Sequence, residues 1–344
     1  MSPTIYTIML SSLATGTIIT MTSFHWLMAW IGLELNTLAI IPIISTLHHP
    51  RSTEAATKYF LTQAAASAMI LFSSMINAWH TGTWDYTQMS FLPSNTLLAV
   101  ALALKLGLAP AHLWLPEVLQ GSTLLTALII TTWQKLAPML LIFLSANNLP
   151  PMILLTLGVI SSVTGGWAGL NQTQTRKIMA FSSIAHLGWM ASITSISPNI
   201  MIMSLMIYLI MTTALFSSLI FSKSKTIQDT TTTWTLSPTL TITTMLVLLS
   251  LGGLPPLTGF LPKWLILEEL ITQNMSPLAL MMAMSALLSL FYYLRLTYTT
   301  ALTLAPNTLQ MKFKWRFKPT TPPALMAFST LSVFLLPLTP LILS

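Results

Sequence analysis

Residues 200–221 read IMIMSLMIYLIMTTALFSSLIF, twenty-two positions without a charged side chain, and residues 149–170 form a second uncharged run of twenty-two. A helix needs about 20 such residues to cross the ~30 Å hydrocarbon core of a bilayer, and a run beyond about 18 marks a spanning candidate. A soluble core helix has no use for so much unbroken apolar surface, because one of its faces must meet water. Comparable runs recur along all 344 residues, leaving 6% charged residues and a mean hydropathy of +0.76. Soluble domains carry roughly 25% charged residues. The chain reads as an all-α polytopic membrane protein, and a soluble fold is set aside.

There is no cysteine, which excludes disulfides, thiolate nucleophiles and cysteine-ligated metal or iron–sulfur sites. The N-terminal MSPTIYTIML has neither the basic region of a signal peptide nor the arginines of a transit peptide, so its apolar run is expected to be a retained span. The pI near 9.7 reflects basic residues scattered between spans, which membrane topology explains better than nucleic-acid binding.

Eleven spans are expected, at 3–22, 25–45, 55–79, 95–119, 123–145, 149–170, 177–195, 199–221, 238–272, 277–303 and 323–342. The ninth is too long for one crossing and contains GGLPPLTGF (252–260), so it is expected to be two half-helices; the fourth and fifth are expected to break at Pro110 and Pro138. Loops on the N-terminal side, with their edges, hold nine basic residues: Arg51, Arg176, Lys177, Lys223, Lys225, Lys312, Lys314, Arg316 and Lys318. The opposite loops hold none. The positive-inside rule then puts the N-terminus on the inner side and, with an odd span count, the C-terminus outside. The stretch MKFKWRFKP (311–319) reads as a topology-setting loop, with a lipid-headgroup or partner patch as the alternative.

Glu34, Lys58, Lys105, Lys135, Lys263, Glu268, Glu269 and Arg295 remain as charges within the expected spans. A charge at mid-bilayer costs about 2.5–3.5 kcal/mol even on forgiving insertion scales, so each needs a partner, water or a task. Lys58 and Arg295 lie near span ends, where long stems reach the headgroups, and read as structural. Glu268 and Glu269 fall near an interface, and their role is left open. Glu34, Lys105, Lys135 and Lys263 sit too deep for that. Pairing Glu34 with one lysine leaves two without a charged partner, and a lysine so placed can alternate between charged and neutral, as a proton relay requires. The alternative is a static ion pair that fixes helix packing.

Three of these lysines accompany interruptions. Proline removes the hydrogen bond to the carbonyl four residues earlier. Pro110 would free Leu106, beside Lys105; Pro138 would free Gln134, beside Lys135; Pro255 and Pro256 would free Leu251 and Gly252, upstream of Lys263. Gly252 and Gly253 complete that last break. Unpaired backbone at membrane depth is tolerated only inside protein or along a wet cavity, and discontinuous helices in corresponding halves point to a transporter built from repeats. His112, just past Pro110, and His186, in FSSIAHLGW, suit a relay by titrating near neutral pH; each is equally readable as a helix–helix hydrogen-bonding group. No metal-ligand spacing occurs, and Gly165–Gly166 reads as a small-residue helix contact rather than a phosphate loop. Hydride transfer and ATP hydrolysis therefore have no site here.

KLGLAPAHLWLPE (105–117), TRKIMAFSSIAHLGW (175–189) and GGLPPLTGFLPKW (252–264) resemble the signatures of the antiporter-like membrane subunits of respiratory complex I and of related cation/proton antiporters. The resemblance covers essentially the whole chain. It implies a single translocation domain over 1–344 with antiporter-like inverted repeats, broken near 95–145 and 238–272. It also implies a proton-translocation axis of Glu34 with Lys105, His112, Lys135, His186 and Lys263. NADH, FMN, iron–sulfur clusters and ubiquinone would be bound by other subunits. The expected partners are neighbouring subunits 4 and 4L, the lateral helix of subunit 5, and lipids such as cardiolipin, with no nucleic acid. The location implied is the mitochondrial inner membrane, N-terminus in the matrix and C-terminus in the intermembrane space. The family usually has fourteen spans, three more than are expected here, so a neighbour would cover the exposed flank. A stand-alone cation/proton antiporter and a structural subunit without its own channel remain the alternatives.

Overall fold

The computed structural model describes residues 2–303 and 322–338. The basic stretch 311–319 and the end of the eleventh expected span lie outside the described residues. Among the described residues all repeating structure is helical, and the only strand-like features are two isolated bridges, His25 with Asp85 and Gln174 with Thr226. Seven stretches are long and apolar enough to cross a membrane: Pro3–Thr22, Trp26–Ile44, Pro50–Thr81, Leu124–Leu144, Pro151–Gly169, Pro198–Ser222 and Ser276–Leu302. Shorter apolar helices occupy Leu92–Leu106, Pro238–Gly252 and Pro323–Phe334.

The described chain divides into two compact units. The first comprises 1–161 and 190–198. Its helices are α1 (Pro3–Thr22), α2 (Trp26–Ile44), α3 (Pro50–Thr81), α4 (Leu92–Leu106), α5 (Trp114–Gly121), α6 (Leu124–Thr131) and α7 (Trp133–Leu144), and α8 (Pro151–Gly169) begins in it. Proline at the first helical position and a serine cap start α1; a capping box between His49 and Ser52 starts α3. Glycine lets α1 and α2 meet closely: a Cβ on Gly16 would stand 2.9 Å from the Gly32 carbonyl, and one on Gly32 2.8 Å from the Gly16 carbonyl. This is the small-residue packing expected where lipid supplies no hydrophobic drive between helices. The long α3 then packs on α2, α4 and α5, while α7 packs on α1, α2 and α4.

The second unit comprises the described residues of 162–189, 199–303 and 322–338. It holds most of α9 (Thr175–Ile193) and α10 (Pro198–Ser222), then α11 (Ile227–Thr231), α12 (Thr233–Leu236), α13 (Pro238–Gly252), α14 (Phe260–Thr272), α15 (Ser276–Leu302) and α16 (Pro323–Phe334). Gly165–Gly166 is a helix contact, as the sequence suggests. A Cβ at Gly165 would meet the Ala185 nitrogen of α9 at 2.7 Å, and one at Gly166 the Leu288 side chain of α15 at 2.9 Å.

One expected break is misplaced. Pro138 lies inside a continuous α7, and the interruption in this segment falls at Thr132, between α6 and α7. Pro138 is the sixth residue of α7 and leaves the Gln134 carbonyl without its partner, but the single missing bond does not end the helix. Both other breaks occur as expected, between α4 and α5 and between α13 and α14.

Candidate functional site

The two broken helices end alike. At each, a glycine takes the left-handed conformation: Gly107 with φ +78° and Gly253 with φ +80°. In the first unit, Gly107 N–H donates to Leu104 (3.1 Å) and Leu108 N–H to Ala103 (2.9 Å). In the second, Gly253 N–H donates to Ser250 (2.9 Å) and Leu254 N–H to Leu249 (3.4 Å). Each pair is a Schellman cap, which satisfies two of the four carbonyls that a helix end leaves open. The local sequences match, Gly-Leu-Ala-Pro at 107–110 and Gly-Leu-Pro-Pro at 253–256, and both carry a cis bond before the last proline.

The caps leave the two final carbonyls of each half-helix open, and lysine takes one in each unit. The Lys135 ammonium donates to the Leu106 carbonyl, the last of α4. The Lys263 ammonium donates to the Gly252 carbonyl, the last of α13, at 2.8 Å. A cation at a helix C-terminus meets the negative end of the peptide dipoles, worth up to about 2 kcal/mol when partly buried. Both lysines are deep, at 2% and 9% exposure. Lys135 also stands 5.8 Å from the centroid of the Trp114 ring, whose Nε1–H donates to the Leu104 carbonyl at 3.3 Å. The remaining open carbonyl of α4, on Lys105, accepts from Gln63 at 3.5 Å.

Lys105 differs. Its ammonium is buried with no hydrogen-bond partner, and Glu34 is not in ion-pair contact with it. Ion pairs join Lys58 to Glu54 (2.5 Å) and Glu117 (2.6 Å). The direct Glu34–Lys105 ion pair read from the sequence is not formed in this structure. The Glu34 carboxylate accepts from Thr37 Oγ1 at 2.8 Å, one turn along the same helix, yet stays in electrostatic range of Lys105. Glu117, twelve positions after Lys105, is held by Lys58. The Arg295 guanidinium donates to the Leu170 carbonyl at 2.7 Å.

A cavity of about 10 Å³ opens beside Lys105, Lys135, Asn36, Tyr59, Gln63 and Gln134, close to the ~10–15 Å³ that one water molecule needs. Gln134 donates to the Asn36 carbonyl (3.3 Å) and accepts from the Tyr59 hydroxyl (3.4 Å), tying α2, α3 and α7 around it. These neutral polar groups escaped a sequence reading that counted only charges. Gln134 in TTWQKLAPM and Gln63 in an apolar helix were the available signals. His112 lies in the segment joining α4 to α5, half-buried, with Nδ1 buried and without a hydrogen-bond partner. In the second unit His186 packs on Tyr208, ring centroids 5.5 Å apart, and lies in electrostatic range of Lys263. Tyr208, Tyr292 and Tyr293 are buried there and were not anticipated. Among the described residues no group of three or more His, Cys, Asp or Glu could hold a metal ion.

The arrangement can store a positive charge at either half-helix end and exchange protons through a small polar cavity. Residues 23–289 match the family described as NADH:quinone oxidoreductase/Mrp antiporter, TM, and residues 290–343 match NADH dehydrogenase subunit 2 C-terminus. The chain is 55% identical to NADH-ubiquinone oxidoreductase chain 2 of Carassius auratus, over 100% of this chain and 99% of that one. It is likewise 55% identical to the protein of that name from Varanus timorensis, over the full length of both. Among solved structures it is similar to a chain of respiratory complex I from Thermus thermophilus with bound aureothin: TM-score 0.88, 28% identity, 98% of this chain and 79% of that one. A chain of the Mrp complex from Dietzia shares the fold at 15% identity, TM-score 0.76, over 85% of this chain and 59% of that one.

Proposed function

The chain belongs to the NADH:quinone oxidoreductase/Mrp antiporter family of membrane subunits, and we propose that it translocates protons across the mitochondrial inner membrane as a core subunit of respiratory complex I. Electrons pass from NADH to ubiquinone in other subunits, which hold the nicotinamide, flavin, iron–sulfur and quinone sites. The chain spans the membrane eleven times as one translocation module of two inverted repeats, N-terminus in the matrix and C-terminus in the intermembrane space. Its neighbours are subunits 4 and 4L, the lateral helix of subunit 5, and lipids including cardiolipin.

One observation carries this reading: in each unit a buried lysine donates to the terminal carbonyl of a broken half-helix. A hydrogen bond to a charged group is worth about 1.5–3 kcal/mol. Moving one charge against the membrane costs about 2.3 kcal/mol per 100 mV. Making or breaking the lysine contact is therefore matched in scale to the work done. Redox-driven movement swings the Glu34 carboxylate from Thr37 toward Lys105, which loads a proton there. Its return to Thr37, the arrangement seen here, releases that proton through the polar cavity to Lys135. His112 serves the first break as a proton-exchanging neighbour. His186 and Lys263 continue the axis toward the outer side.

In the assembled complex, Lys135→Met should lower the number of protons pumped per NADH oxidised. Full assembly with an unchanged ratio would sink the relay assignment. The ammonium-to-carbonyl contacts also favour a second reading, in which the lysines only fasten helix ends and the subunit is structural. Methionine would then impair assembly and leave the ratio of the surviving complex intact. A stand-alone cation/proton antiporter would instead exchange Na⁺ or K⁺ for protons when the purified chain is placed in liposomes.

A further inference from the structure

The two breaks align without a gap, 107–117 on 253–263, and share Gly, Leu, Pro, Leu and Pro at the same places. Thr258 stands where His112 does, and Gly259 where Leu113 does. Their surroundings differ. The first connection lies partly open: His112 Nδ1 has no hydrogen-bond partner, and Leu113 is 67% exposed. In the second, Thr258 and Gly259 are both buried, and the Thr258 hydroxyl donates to the Ser332 carbonyl of α16. Ser332 is the third residue from the end of α16, so its carbonyl is among the four that a helix terminus leaves to outside donors. The same helix packs on α13. It therefore holds both α13 and the connection that leads from α13 to α14.

Thr258 in turn opens α14. Its carbonyl accepts from the Leu261 N–H at 3.3 Å, and the Leu257 carbonyl accepts from the Phe260 N–H at 3.1 Å. Gly259 rests on the last turn of α13, where an added Cβ would stand 1.7 Å from the Ser250 carbonyl oxygen. The connection is thus pressed between the end of α13 and the end of α16. Lys263 is the fourth residue of α14, five positions after Thr258. A β-branched side chain is stiff at χ1, so a bond at the Thr258 hydroxyl fixes the backbone that carries it. That backbone sets where α14 starts, and the start of α14 sets how far Lys263 stands from the Gly252 carbonyl.

We propose that α16 clamps the second broken helix, and that Thr258 is the positioning residue through which it acts, setting the start of α14 so that Lys263 meets the Gly252 carbonyl. The bearing of the clamp on pumping rests on the proposed function, in which Lys263 carries protons; the clamp itself is a matter of geometry. The test is Thr258→Val in the assembled complex, which keeps the branched shape and removes the donor. A map of this variant should show the connection drawn away from Ser332 and the Lys263 ammonium away from the Gly252 carbonyl. The ratio of protons pumped to NADH oxidised should fall. Thr258→Ser keeps the hydroxyl and should restore both the contact and the ratio.

Lys263 unmoved on the Gly252 carbonyl in Thr258→Val would overturn the clamp, as would a Thr258→Ser variant impaired to the same degree. A displaced Lys263 with a full ratio would uphold the clamp and contradict the relay, so the two failures are read separately. Thr258→Ala, too small to crowd its neighbours, gives the same map and the same ratio should Thr258→Val fail to assemble. Ser332→Ala serves as the control: it removes a hydroxyl that donates to Ser329 at 2.8 Å and leaves the carbonyl that Thr258 uses. Its Lys263 contact and its ratio should stay as they are, and a loss of either would move the clamp from Thr258 to the packing of α16 and overturn the assignment.

Discussion

Gly253 offers a controlled perturbation of the Lys263 contact. It sits at φ +80°, and an added Cβ would meet Lys263 Nζ and Cδ at 3.0 Å. A left-handed non-glycine residue costs about 1–2 kcal/mol. The clash falls on the far end of a flexible side chain, so Lys263 would yield and its 2.8 Å bond to the Gly252 carbonyl would break, at about 1.5–3 kcal/mol. Gly253→Ala should therefore destabilise by roughly 2.5–5 kcal/mol in sum. Gly82 supplies the comparison: it has φ +72° with nothing within 4 Å of its Cβ position. Gly82→Ala should cost only the backbone part, about 1–2 kcal/mol. Thermal inactivation of the assembled complex reads the first effect and protons pumped per NADH the second. Gly82→Ala should keep its pumping ratio, and Gly253→Ala should lose part of it. Equal ratios in the two variants, with both assembled, would refute the claim that Lys263 must hold the half-helix end.

Two further expectations test packing and charge. Gly165→Ala brings a methyl to 2.7 Å from the Ala185 nitrogen and 2.8 Å from the Phe181 carbonyl; backbone cannot give way, so the complex should assemble poorly, as native gel electrophoresis would reveal. Lys58, half-buried and held by Glu54 and Glu117, lies outside the relay, and Lys58→Gln should leave both assembly and the pumping ratio unchanged.

Much of this fold was legible in run length alone. The stretches expected at 3–22 and 199–221 are α1 (Pro3–Thr22) and α10 (Pro198–Ser222), because an apolar run of that length admits one structure in lipid. Both proline-marked breaks flanked by left-handed glycine were also visible. Pro138 misled because proline announces a lost bond, and one lost bond inside α7 did not end the helix. What ends α4 and α13 is the glycine three residues ahead of a proline, and Gly107 looks unremarkable inside KLGLAP. The lysines were found by their charge, but their partners were not. Sequence counts formal charges, so it offered Glu34 to Lys105. The partners used by Lys135 and Lys263 are backbone carbonyls, which carry partial charge at every helix end and no mark in the sequence. Tyr59, Gln63 and Gln134 escaped for the same reason, their polarity being invisible to a search for ions.

The central claim is that Lys135 and Lys263 carry protons rather than merely fastening helix ends, and arginine separates the two roles. Its guanidinium keeps the positive charge and the donors needed at the Leu106 and Gly252 carbonyls, yet it does not give up a proton in proteins. The decisive measurement is the ratio of protons pumped to NADH oxidised in assembled complexes bearing Lys135→Arg or Lys263→Arg. The account predicts intact assembly with a reduced ratio in both. A full ratio in either would show that fixed charge suffices at that position and would contradict the relay.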